Sequence, residues 1–243
     1  MNDDVRNIVL GVLATGVSAS IGWLARTHQW RRKLRRTQAF FGLPKSSECL
    51  LVVNKEAGGN GAVHRYDVFA LLELSSLIKD CGAHARIVQH DQAHQGFGDR
   101  TEFCVGGPGS NRRMAAHLAT LLPGLTVNVD VERGPDQGSF LIGSERYRMD
   151  AGIEEYVILA RLTAGEGSRP AFLFCGQRAI TNQAATRYLS RHHASLARRH
   201  RSGSFVLLLK VVNSQAYGPD VVELVADVTQ AARTAPAVEP AAT

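Results

Sequence analysis

Cysteine is scarce in this chain and never closely spaced. Cys49, Cys81, Cys104 and Cys175 include no C-x-x-C pair, which removes the usual zinc and dithiol redox motifs. They lie in or beside apolar runs, as buried free thiols do, and suit a reducing compartment. The glycine-rich loops match neither G-x-G-x-x-G nor a Walker loop, so the standard nucleotide fingerprints are missing. Acids are absent between Arg26 and Arg36, where six Lys and Arg residues cluster. With 28 Lys and Arg against 22 Asp and Glu, that cluster carries the whole net charge of +6. The rest of the chain is balanced, so the basic pI gives no case for a nucleic-acid surface.

Charge is also missing from residues 7–25. A helix over that run would be about 28 Å long, enough to cross a hydrocarbon core. Thr15, Ser18, Ser20 and three glycines dilute its hydropathy. The basic cluster follows the run instead of preceding it, the reverse of a signal peptide. Trp23 and Trp30 fall near the expected interface. The positive-inside rule then predicts a single-pass inner-membrane anchor with the rest of the chain in the cytoplasm, and a lipid bilayer contacted through residues 7–36. Gly16/Ser20 and Ser18/Gly22 would let two such helices pack as a homodimer.

Beyond the anchor the pattern is α/β. We expect a tail over 1–6, the spanning helix over 7–25, a basic juxtamembrane linker over 26–47, a cytoplasmic domain over 48–229 and a disordered tail over 230–243. Gly42 and Pro44 are the breakers that suggest the linker. The apolar runs Cys49–Asn54, Phe103–Val105 and Ala171–Cys175 read as strands buried on both faces of an open, mostly parallel Rossmann-like sheet with helices on both sides. Asp67 is placed to cap a helix from Val68 whose apolar face holds Val68, Leu71, Leu72, Ser75 and Ile78. Residues 139–149 read as a hairpin turning at Gly143-Ser144.

Two loops carry the functional expectation. In the first, a strand ends in Gly106-Gly107-Pro108-Gly109-Ser110-Asn111, and Arg112 opens a helix. The glycines allow positive φ and close approach of a ligand, while Ser110 or Asn111 caps the helix. The second repeats this logic: a strand ends at Gly176, followed by Gln177, Arg178 and a cap at Thr181 or Asn182. Two helix starts facing one crevice beyond the carboxyl ends of the strands would favour a phosphorylated, nucleotide-like ligand. No cofactor is assigned. His90, Asp91, His94 and Asp99 are metal-ligating types, but they read as a polar surface loop.

These loops resemble those of a group of poorly characterised bacterial proteins, often membrane-anchored, that share a strand-GGPxSN-helix turn and a later strand-Gly loop before an Ala-Ala helix. Here the matches are Gly106–Asn111 and Gly176 through Ala184-Ala185, within roughly residues 48–229. The group carries Gly-Thr before the alanines, where this chain has Asn182-Gln183. More distantly, the loops look like those of Rossmann-like nucleotide-sensing domains in bacterial defence and signalling. The resemblance implies a sensor or regulatory module and brings no established reaction. A nucleotide-processing enzyme, cleaving or transferring a glycosyl bond, would need a carboxylate, for which Glu56, Asp91 and Asp99 are the candidates. A partner-recruiting module would need no ligand.

Overall fold

The structure, a computed structural model, describes residues 3–54, 62–130, 134–200 and 203–236; side chains of the first helix are described at Asn7 and Ser20 and from residue 22 onward. The chain begins with α1 (Asp3–Phe41), then β1 (Glu48–Val53), α2 (Arg65–Asp80), β2 (His84–Gln89) and β3 (Glu102–Val105). Next come α3 (Arg112–Leu121), β4 (Leu125–Val127), β5 (Phe140–Ile142), β6 (Glu145–Tyr147), β7 (Glu154–Leu162) and β8 (Ala171–Gly176). The remainder is α4 (Ala179–Arg199), β9 (Phe205–Val212), α5 (Ser214–Tyr217), β10 (Val222–Asp227) and α6 (Thr229–Arg233).

The main sheet has seven strands in the order β10-β9-β7-β8-β3-β1-β2. Strands β2, β1, β3 and β8 pair in parallel, while β7, β9 and β10 join through antiparallel pairs. The sheet is therefore mixed and largely parallel. Alternation along the strands sends side chains to two faces. Phe172 and Phe174 of β8 enter one core with Phe103, Leu51, Leu74, Ile78 and Leu189, beneath α2, α4 and the end of α1. Leu173 and Cys175 enter the other with Cys104, Met114, Leu118, Phe140 and Ala232, beneath α3, α6 and the small antiparallel sheet β4-β5-β6.

Several expectations need correction. The linker expected over 26–47 is helical as far as Phe41, and Phe40, Phe41 and Leu43 are buried. Phe41 lies 5.4 Å from Phe172, which stacks on Phe103 at 5.0 Å, ring centre to ring centre. Gly42 takes a positive φ and turns the chain out of the helix, as a left-handed cap does. The tail expected from residue 230 includes α6, whose Ala232 is buried; Gly124 fits against it so closely that a Cβ there would lie 2.0 Å from the Ala231 carbonyl. Helix α2 starts earlier than expected, capped by the His64 side chain, and its buried face is Asp67, Ala70, Leu71, Leu74 and Ile78, with Val68 and Leu72 exposed. Among the described residues no helix is long and apolar enough to cross a membrane, so the spanning segment expected over 7–25 finds no support.

The aromatic anchor yields a direct prediction. Phe41→Ala in the full chain should lose about 3–5 kcal/mol of stability by urea unfolding. A loss below about 1 kcal/mol would show that the end of α1 is not part of the core.

Candidate functional site at the carboxyl edge of the sheet

The turn after β3 is built mostly to satisfy itself. Gly106 has φ +110°, and a Cβ there would lie 2.9 Å from Asn54 Cγ. Gly107 does not take the positive φ expected of it. The Gly107 carbonyl accepts from the amides of Ser110 and Asn111. Asn111 is fully buried and caps α3: its Oδ1 accepts from the Met114 amide at 3.0 Å, and its Nδ2 donates to the Val105 carbonyl at 2.9 Å. The Arg112 amide donates to His90 Nδ1 at 3.4 Å. Arg113 forks onto the buried Glu102 carboxylate, which also bonds His117 Nε2 at 2.9 Å. Burial alone would raise the Glu102 pKa, but the bonds from His117 and Arg113 outweigh it and bring it down to about 2. That pair braces the amino end of β3 and leaves Arg113 unavailable to a ligand.

The turn after β8 depends on a missing side chain. A Cβ at Gly176 would lie 2.1 Å from Thr181 Oγ1 and 2.9 Å from the Arg178 carbonyl. Thr181 and Asn182, expected as caps, lie buried inside α4, whose N-cap is Arg178. Asn182 instead links three elements. Its Oδ1 accepts from the Gly176 amide at 2.8 Å, and its Nδ2 donates to Asp67 Oδ1 at 2.9 Å. Gln177 ties β7 and β6 to this turn, accepting from the Tyr156 amide at 2.7 Å and donating to the Tyr147 carbonyl at 3.0 Å. Arg178 pairs at 2.6 Å with the fully buried Glu155, whose second oxygen accepts from Ser214 Oγ.

Because β3 and β8 are parallel neighbours, the two glycine turns lie side by side. A Cβ at Gly107 would be 3.7 Å from the Gly176 carbonyl, an ordinary contact. Next to them opens a crevice of about 1060 Å³. Its walls are the start of α2 (His64, Arg65, Tyr66), the start of α4 (Gln177 to Ile180), loop residues including Asn128, Asp130 and Gly152, and Gln215 of α5. Of the expected ligand residues, Gln177 and Arg178 line this crevice. Gly106, Gly107, Pro108, Gly109, Ser110, Asn111, Arg112, Gly176, Thr181 and Asn182 do not, although Gly109 approaches the lining residue Val129.

Chemically, the crevice presents donors. No side chain caps α4, so the first-turn amides of Ala179 and Ile180, both lining residues, have no intrahelical carbonyl to bond. Arg65 is exposed at the rim, and half of the Arg178 side chain remains accessible despite its pairing. The Tyr66 ring stands beside them, stacked on His64.

Sequence reasoning missed Asp67 as a site residue, because its position before an apolar run reads as a cap. It is fully buried, and its Oδ2 has no hydrogen-bond partner among the described residues. Burial raises its pKa, against the lowering effect of the bond from Asn182. Of the carboxylates expected as catalytic, Glu56 lies outside the described residues. Asp99 precedes β3, at the opposite rim, and accepts from the Gly96 amide. Asp91 follows β2 on the surface. Among the described residues no three His, Cys, Asp or Glu side chains gather as a metal site.

Comparison with protein-family models, with curated proteins and with solved structures finds no match to this chain.

The two glycines should respond differently to one methyl group. Gly176→Ala should destabilise the protein by about 1–3 kcal/mol through overpacking. Gly107→Ala, with room and no positive φ, should stay within about 0.5 kcal/mol of the parent. Chemical unfolding of both variants checks this, and equal losses would contradict the packing described.

Proposed function

We propose that the chain binds a small phosphorylated, nucleotide-like ligand in the crevice at the carboxyl edge, as a sensor or regulatory module. The observation that carries this reading is the uncapped start of α4 opening onto a cavity that also holds Arg65 and Arg178. Free helix-start amides and guanidinium groups favour a phosphate, and the Tyr66 ring offers an apolar face to a base. The cavity is of the size that encloses a nucleotide-sized molecule. Attachment to the cytoplasmic membrane through residues 7–36 is part of the same proposal; it rests on the uncharged run and the cluster after it. A full chain that stays in the soluble fraction on cell lysis would remove that part.

Asp67 favours a second reading, that of a nucleotide-processing enzyme. A buried carboxyl that holds its proton more tightly than usual, with one oxygen unbonded, is the kind of group that general acid catalysis requires. Its place beside the glycine turns, linked through Asn182 to Gly176, puts it near the crevice without lining it.

Thermal unfolding of the full chain with a panel of nucleoside mono-, di- and triphosphates separates the readings. A true ligand should raise the unfolding temperature saturably, with about 2.7 kcal/mol of stabilisation at a hundred times its Kd. Arg65→Glu, an exposed change, should abolish the shift. Recovery of the ligand intact supports a sensor; turnover that Asp67→Asn stops supports the enzyme. No shift with any phosphorylated compound overturns both.

A further inference from the structure

A second cavity, of about 910 Å³, lies on the α1/α4 face at the opposite edge of the sheet. Its position follows from strand register: Arg161, which lines it, pairs with Phe172 at the start of β8, whereas Gly176 at the carboxyl edge pairs with Val157. Every ionisable residue lining this cavity is basic. Residues 29, 32, 33, 36, 37 and 40 recur at helical spacing, so one stripe of α1 brings Arg32, Lys33 and Arg36 to its rim. Arg198 comes from the last turn of α4. Among the described residues no carboxylate pairs with any of these four. Cations four apart on one helix face repel each other, and no carboxylate among the described residues pairs with them.

The floor of the cavity is the more telling part. Arg161 sits on the apolar face of β7, in line with Val157 and Leu159, and is only 9% exposed. Its Nε donates to the Phe40 carbonyl at 2.9 Å and its Nη1 to the Gly203 carbonyl, but among the described residues no carboxylate neutralises it. Burial brings its pKa down to about 10, a sign that the charge is under-solvated. His200, whose side chain is 10% exposed, lines the same cavity. Its Nδ1 faces Asp227 at 3.7 Å, while its buried Nε2 has no hydrogen-bond partner among the described residues. A buried guanidinium with no carboxylate partner among the described residues lacks what an oxyanion supplies.

We propose that this cavity is an anion site for a phosphate or phosphate-monoester group, held by Arg161 from below and by Arg32, Lys33, Arg36 and Arg198 at the rim. Arginine forks match phosphate oxygens in geometry as well as charge, so a phosphate fits this set better than a single carboxylate. The site is separate from the carboxyl-edge crevice, and its failure would leave the reading of that crevice standing.

The test uses the full chain with two kinds of probe. Soluble probes are inorganic phosphate and glycerol 3-phosphate, read by the unfolding temperature. Lipid probes are phosphatidylcholine vesicles with and without phosphatidic acid, read by flotation. Arg36→Glu with Arg198→Glu reverses charge inside the cavity; Arg26→Glu with Arg31→Glu does so on exposed residues outside it. The cavity pair should weaken binding roughly tenfold or more, and the outside pair much less. Saturable stabilisation by the soluble probes with that pattern assigns a free phosphate. Flotation dependent on phosphatidic acid with that pattern assigns a lipid headgroup. Binding to neither probe, or equal loss in both double variants, overturns the proposal.

Discussion

The absence of a side chain at Gly176 sets how closely α4 approaches the sheet. Any Cβ there would run into Thr181, Asn182 and the Arg178 carbonyl, so the helix can start directly on the end of β8 only if the strand closes with glycine. That approach lets Asn182 reach both the Gly176 amide and Asp67, tying β8, α4 and α2 into one unit. It also leaves the first amides of α4 facing an open crevice. The neighbouring turn lies beside it, where a Cβ at Gly107 would be 3.7 Å from the Gly176 carbonyl.

Buried charge is handled in two ways in this protein, and the contrast organises its chemistry. Glu102 and Glu155 are fully served: one by Arg113 and His117, the other by Arg178, Ser214 and the Gly152 amide. Such groups fix geometry and have little left to offer a ligand. Asp67 and Arg161 are served in part. An incompletely satisfied buried group costs stability, so its presence points toward a task beyond packing. The first lies behind the carboxyl-edge crevice and the second at the floor of the basic cavity, one at each edge of the sheet.

Much of the frame was legible in the sequence because it is set by local pattern. The apolar runs of β1, β3 and β8 admit only buried strands, and Asn111 carries cap chemistry that needs no tertiary partner. Misreadings occur where local chemistry has two uses. Asp67, Thr181 and Asn182 are cap-type residues, and each is instead turned into the interior by packing between α2 and α4. Gly42 and Pro44 do end a helix, but pattern alone gives no sign that Phe40 and Phe41 just before them fill the space over Phe172. The crevice walls from α2, the loop around Asn128 and Gln215 of α5 come from distant parts of the chain, and no spacing rule connects them.

Hydrogen exchange on the full chain, with and without a nucleoside diphosphate that stabilises it, tests the central claim most directly. Ligand should slow exchange at the first-turn amides of α4, Ala179 and Ile180, and at the start of α2 around Arg65. Protection confined to other segments, with those amides exchanging as fast as in the free protein, would contradict the account.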